Sequence, residues 1–207
     1  MKNIVALISG KGTNLRAISD SCDTGISNGG IVAVFSDRPT IFTLEKTGVK
    51  AIGIDSKRFS SPASFEEYLM AQIDNYSPEL VVLAGYMRVL GYSFVQHYLG
   101  RIINIHPSIL PKYPGLNTHQ RAIDAGDREH GASVHFVTEE LDGGPIIMQA
   151  PVPIAESDSA VSLAKKVQEK ENVIYPLVVK WFIEGRLKMK GKKAFLDGKP
   201  LNFPDHT

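Results

Sequence analysis

The chain has 207 residues, 43% of them hydrophobic, which is enough to bury one substantial core and suits a single folded unit. Its 23 basic and 22 acidic residues leave a formal net charge of +1, so no global field draws it to nucleic acid or membrane, and any anion must be held locally. A single cysteine, Cys22, excludes an internal disulfide, and no apolar run is long enough to span a bilayer.

The first apolar run, Ile4 to Ile8, is too short for a signal peptide and reads as a strand, which makes the cytoplasm the expected location. Ile31–Phe35, Ala51–Ile54, Leu80–Ala84 and Arg101–Ile105 are likewise short and rich in β-branched residues, as in strands covered on both faces. Between them the pattern predicts helices at Asn14–Ser19, Ile41–Thr47, Ser64–Asn75 and Ser93–Leu99. Alternation of this kind predicts an open, mostly parallel α/β sheet with helices on both faces. In the second half Gly131–Thr138 and Pro145–Ile154 predict two antiparallel additions. A long helix is predicted from about Ser159 to Glu184, capped by Ser157 or Asp158, ended by Gly185, and kinked or broken at Pro176. The basic run at Lys188, Lys190, Lys192 and Lys193 reads as a solvated hairpin flank, and Cys22 as a small half-buried hydrophobe.

In open parallel sheets, ligands sit beyond the carboxyl ends of the strands. After the first strand comes Ser9-Gly10-Lys11-Gly12-Thr13-Asn14. Glycines there let backbone N–H groups at a helix start approach a phosphate, with Thr13 and Asn14 adding donors; a plain strand-to-helix turn fits equally well. In Ile103-Asn104-Ile105-His106-Pro107, residues two apart share a strand face, so Asn104 and His106 project together at a strand end. An amide donor beside an imidazole suits acyl transfer, the one steadying an oxyanion and the other donating to it or moving a proton. The other possibility is a capping Asn and a structural His. Pro107 to Gly115 holds three prolines and a glycine and predicts a stiff loop, with a cis bond possible at Pro111.

Asp142 sits in Leu141-Asp142-Gly143-Gly144-Pro145, which by itself signals only a tight turn. If that turn meets His106, its carboxylate orients the imidazole and favours the charged form. Gln168 and Glu171 fall on the apolar stripe of the long helix; either they mark its edge, or they face a cleft and bind substrate hydroxyls. Of the other histidines, His97, His130 and His206 read as surface residues, His119 as part of a helix cap, and His135 as a pocket-lining candidate beside Ser133 and Val137. The six form no spaced metal set, and no metal is expected.

Several segments together resemble the phosphoribosylglycinamide formyltransferase family, folate-dependent enzymes of purine synthesis. They are Leu7 to Leu15, Leu83-Ala84-Gly85-Tyr86-Met87-Arg88-Val89-Leu90, Asn104 to Gly115, and His130 to Val137 with Leu141 to Pro145. The resemblance runs over essentially the whole chain. It implies one Rossmann-like formyltransferase domain over 1–207, with a phosphate-binding half at 1–100 and a catalytic and folate half at 101–207. The reaction it implies is formyl transfer from 10-formyltetrahydrofolate, a co-substrate, to the amine of glycinamide ribonucleotide on the route to IMP. It assigns Asn104, His106 and Asp142 to catalysis, and Gly12, Thr13, Asn14, Gln168 and Glu171 to the ribonucleotide. The folate falls to Met87, Arg88, Val89, Leu90 and Asn104, with Val137, Thr138 and Leu141 opposite.

At Pro62 the chain departs from an arginine that the family often places near the folate tail; Lys57 or Arg58 is the candidate substitute. A monomer or homodimer is expected, with no nucleic-acid or membrane partner. Two alternatives remain at this stage: a formyltetrahydrofolate hydrolase using water as acceptor, and a non-catalytic nucleotide-binding module.

Overall fold

A computed structural model describes residues 1–10, 12–23, 28–38, 49 and 51–203. The helix expected at Ile41–Thr47, Lys11 and His206 lie outside the described residues. The strands are β1 (Lys2–Ile8), β2 (Gly29–Ser36), β3 (Ala51–Gly53), β4 (Leu80–Leu83), β5 (Ile102–His106), β6 (Glu129–Phe136) and β7 (Ile146–Pro153). They form one sheet in the order β3-β2-β1-β4-β5-β6-β7. The first five are parallel to their neighbours, and β6 and β7 are antiparallel additions, as the patterning predicts. The helices are α1 (Thr13–Asp23), α2 (Pro62–Asp74), α3 (Tyr92–His97), α4 (Thr118–Asp124) and α5 (Ala160–Ile183). Among the described residues, no helix is long and apolar enough to cross a membrane.

The strict alternation of side chains along each strand sorts the core into two layers. Ile4, Ala6 and Ile8 of β1, Leu80 and Val82 of β4, Ile103 and Ile105 of β5 and Ala132, Val134 and Phe136 of β6 face one side, where Leu163, Val167, Ile174, Tyr175 and Val178 of α5 cover them. Val5, Leu7, Val81, Leu83 and Ile102 face the other, against Phe65, Leu69 and Ile73 of α2 and Phe94 of α3. Asn104 and His106 stand on that second face, since Ile103 and Ile105 turn toward α5. Beyond β5, loops and no longer helices cover it.

Two predicted features of α5 are corrected. The cap is Ser159, whose side chain accepts from the Ser162 N–H in a reciprocal capping box. Asp158 is drawn away, accepting from the Ala155 N–H, the Ser162 hydroxyl and Lys166. The helix also runs without a break through Pro176. Proline removes one backbone bond, but Tyr175, Val178 and Val179 on either side are almost wholly buried, and their packing offsets the loss. Gly185 ends the helix at φ +77°. A hairpin of β8 (Leu187–Lys190) and β9 (Lys193–Leu196), with β10 (Lys199–Pro200), forms a separate small sheet that carries the basic run.

Candidate active site

The order β3-β2-β1-β4-β5 places the reversal of strand order between β1 and β4, where a crevice opens at the carboxyl ends. Gly12, at φ +67°, turns the chain from β1 into α1. The next two residues meet the far end of the chain. The Gln168 Nε2 donates to the Thr13 hydroxyl at 2.7 Å, and the Asn14 Nδ2 donates to the Glu171 carboxylate at 2.9 Å. Asn14 and Glu171 are both 7% exposed, so the stripe on α5 turns Glu171 inward and leaves Gln168 half-buried at its edge. Burial pushes the Glu171 carboxyl above its ordinary range, and the Asn14 amide partly opposes the shift. The Asn14 Oδ1 is buried with no partner among the described residues. A donor and acceptor set with spare capacity, beside a helix start, is suited to a hydroxylated, anionic ligand.

One strand further along, Asn104 and His106 lie at the end of β5, with His106 5% exposed. The loop after β5 brings its own backbone to them. The Leu110–Pro111 bond is cis, and Tyr113 and Gly115 have φ of +56° and +79°. His106 donates through Nε2 to the Tyr113 carbonyl at 2.8 Å. Its Nδ1 stands 3.4 Å from the Asp142 Oδ2, and both side chains are under a tenth exposed. The same Oδ2 accepts the Gly115 N–H at 2.8 Å. His106 thus has an acceptor at each ring nitrogen. A neutral imidazole donates from one nitrogen only and a charged one from both, so the surroundings suit the imidazolium.

The loop itself is pinned from below. The Ser133 hydroxyl donates to the Ser108 carbonyl at 2.6 Å and accepts the Leu110 N–H at 3.0 Å, while Gln149 donates to the Leu110 carbonyl and to Ser133.

His135, the pocket-lining candidate, pairs directly with Asn104 across β5 and β6, its Nε2 lying 3.2 Å from the Asn104 Nδ2. His130 is corrected: it is 1% exposed, not a surface residue, its ring 5.1 Å from that of His119 behind the 107–115 loop. His119 lies in the first turn of α4, whose N-cap residue, Asn117, is left-handed and makes no side-chain cap bond. His97 is half-exposed and bonded to Asp74, in line with its expected surface position.

Of the residues expected to face a folate, Met87 and Val89 are 61% and 71% exposed, and Leu141 is 54% exposed, leaving apolar surface open. Leu90 and Val137 pack against the second core layer, and Thr138 is half-buried. Arg88 is committed elsewhere: it donates to the Ser56 hydroxyl and stacks on the Phe65 ring. Pro62 is the first residue of α2, and Lys57 and Arg58 lie in a short 3-10 turn just before it. The Tyr113 carbonyl and the Gly115 N–H were not legible as site groups. Backbone atoms carry no residue signature, and only the proline-rich stiffness of the loop hinted at them.

An amide, an imidazole and a carboxylate gathered at the carboxyl end of β5 are groups suited to passing an acyl group between two nucleophiles, the chemistry of an acyl transferase. The chain belongs to the formyl transferase family, whose model matches residues 2–179. It is 52% identical to the phosphoribosylglycinamide formyltransferase of Escherichia coli K12 over 96% of this chain and 95% of that one. The solved phosphoribosylglycinamide formyltransferase of Coxiella burnetii superposes with a TM-score of 0.92 at 48% identity, covering 97% and 96% of the two chains. A formyltetrahydrofolate deformylase from Pseudomonas syringae also superposes, at 0.85 and 25% identity, but with only 65% of its length covered.

Proposed function

We propose that Asn104, His106 and Asp142 carry out formyl transfer from 10-formyltetrahydrofolate to the amine of glycinamide ribonucleotide. The activity is that of a phosphoribosylglycinamide formyltransferase, acting in purine biosynthesis. The observation that carries the residue assignment is the position of His106 between the Tyr113 carbonyl and the Asp142 carboxylate, at the strand end that also presents Asn104.

The neutral amine attacks the formyl carbon, and the carbonyl electron pair moves onto oxygen. The Asn104 amide donates to that oxyanion, and the positive charge of the His106 imidazolium, whose two N–H groups face Tyr113 and Asp142, steadies it electrostatically. Asp142 balances the imidazolium. Its Oδ2 is held by Gly115 and faces His106, which leaves Oδ1 to take the proton that the amine sheds. That proton, passed through water, goes to the folate nitrogen as its bond to the formyl carbon breaks. No covalent enzyme intermediate is needed.

Gly12, Thr13, Asn14, Gln168 and Glu171 bind the ribonucleotide; the buried Asn14–Glu171 bond, with the more exposed Gln168–Thr13 bond beside it, supports this and favours a hydroxylated amine acceptor over water. The apolar surface of Met87, Val89 and Leu141, with Leu90, Val137 and Thr138, receives the folate ring, while the Arg88 side chain stays on Ser56 and Phe65. The test is the absorbance change at the folate on mixing enzyme with 10-formyltetrahydrofolate. Dependence on added glycinamide ribonucleotide is expected; an equal rate without it means hydrolysis, and no change in either case leaves only a binding module.

A further inference from the structure

We propose that His135 is a positioning residue for Asn104: its uncharged ring accepts one amide hydrogen of Asn104 and so fixes which way that amide faces at the reacting carbonyl. The proposal rests on the reading of Asn104 as the oxyanion donor. Terminal amide groups turn over at little cost unless their surroundings distinguish oxygen from nitrogen. Here they do. The His135 Nδ1 lies 2.8 Å from the Phe136 carbonyl oxygen, which only accepts, so Nδ1 must carry the proton. In an uncharged ring Nε2 is then a bare lone pair, and it stands 3.2 Å from the Asn104 Nδ2. Only the NH2 end of the amide can satisfy it. One N–H is spent on His135, and the other is left for the developing oxyanion.

Burial keeps the ring uncharged. The side chain is 2% exposed, and desolvation drives it well below its ordinary value, against the opposing pull of the Phe136 carbonyl and Asp142 and with added help from His106. A charged ring would reverse the arrangement. Its Nε2–H would face an amide that must then offer oxygen, and it would attract the Asp142 Oδ1, which lies 3.7 Å away. The uncharged ring therefore holds Asn104 and at the same time leaves Asp142 to His106. The strand register delivers this pairing, since Asn104 and His135 are directly opposed on β5 and β6.

The experiment is a double-mutant cycle on the full chain, with kcat and both KM values measured for His135→Leu alone, Asn104→Ala alone, and the two combined. His135→Leu should lower kcat roughly tenfold or more with each KM within about twofold. In the Asn104→Ala background it should change kcat by less than about twofold, because the group it positions is gone. An equal loss in both backgrounds, or a loss confined to KM, overturns the proposal. Near-normal turnover of Asn104→Ala instead removes the reading of Asn104 itself, and the proposal with it. Should the leucine variant fail to fold, His135→Asn, too short to reach the amide, takes its place in the cycle under the same criteria. His135→Gln, long enough to offer a carbonyl oxygen, should recover part of the lost kcat, and no recovery counts against the idea.

Discussion

Asn14 and Glu171 stand 157 residues apart in the chain and are joined by a 2.9 Å hydrogen bond at the reversal point of the sheet. The bond closes the start of α1 onto the middle of α5, and it leaves the Asn14 Oδ1 without a partner among the described residues. A carboxylate buried against one amide, beside an amide oxygen with no partner, is a poor arrangement for the unliganded protein and a good one for a ligand bearing hydroxyl groups.

Glu171→Gln should therefore separate binding from stability. Burial raises the Glu171 carboxyl in the folded protein above its value in the unfolded chain. Between those two values the folded state holds a proton that the unfolded state lacks. The stability this group contributes is present below the unfolded pKa and is lost as pH rises through the raised one. Removing the charge avoids that loss. In thermal melts of the unliganded enzyme, Glu171→Gln should be at least as stable as the parent at pH 8, with the difference fading toward pH 4. Its KM for the ribonucleotide should rise by about tenfold, the worth of one hydrogen bond to a charged group. A lower melting temperature at pH 8 would count against this account of the cluster.

Asp142→Asn offers a clean probe of the carboxylate. Residue 142 has φ +52°, a conformation that asparagine tolerates nearly as well as aspartate and most other residues do not. The turn should survive, and an amide oxygen can still accept the Gly115 N–H. What disappears is the charge opposite His106. Turnover should fall by roughly a hundredfold or more, at least as far as in Asn104→Ala or His106→Ala, with both KM values close to normal. If steady-state kinetics instead show a raised KM and an unchanged kcat, Asp142 is a binding residue only.

The Asn104–His106 pair and the sheet were legible because they rest on short-range rules. Strand alternation alone puts Asn104 and His106 on one face, and the α5 stripe alone flags Gln168 and Glu171. What no local rule reaches is the return of the chain. That Asp142 closes onto His106, or that His130 is enclosed behind the 107–115 loop, depends on β6 running back antiparallel beside β5. The cap on α5 was misplaced for a similar reason. Ser157, Asp158 and Ser159 are all good caps by type, and the choice among them was decided by Lys166, two turns along, taking hold of Asp158. Pro176 misled because a local breaking tendency was set against eight buried positions of the same helix.

Ser133→Ala should weaken both fold and turnover. Its hydroxyl is fully buried, donates to the Ser108 carbonyl and takes the Leu110 N–H, so its removal strands two groups of the loop that carries Tyr113 and Gly115. Stranding buried backbone groups costs about 1–3 kcal/mol, or very roughly 2–10 °C in melting temperature for a chain of this size. Because that loop sets the His106 ring and one Asp142 oxygen, kcat should fall as well, while the KM for the ribonucleotide, whose proposed contacts are at Asn14 and Glu171, stays the same. Circular-dichroism melts and steady-state kinetics on the one variant check both parts, and a lowered melting temperature with unchanged kcat would free the loop of any catalytic role.

His130 predicts how the enzyme behaves in acid. Its ring is buried, its Nε2 has no partner, and burial followed by the nearby His119 holds it down to about 4, against the opposing effects of the Pro107 backbone and Asp127. In the unfolded chain an ordinary histidine titrates near 6.5. Between these values the unfolded state binds a proton that the folded state refuses, so the stability owed to this group is complete above pH 6.5 and drains away as pH falls toward 4. His119 and His135 are shifted downward as well and add to the same slope. Melting temperature should fall steadily from pH 7 to pH 4.5. His130→Gln, which cannot titrate, should shrink that fall by a few degrees or more, whatever it does to the melting temperature at pH 7. Because His130 touches the loop that starts at Pro107, the acid form of the parent should also lose kcat within this window before the whole chain unfolds. A melting profile with the same slope in the variant and the parent would show that the ring is solvated, contrary to its position behind the 107–115 loop.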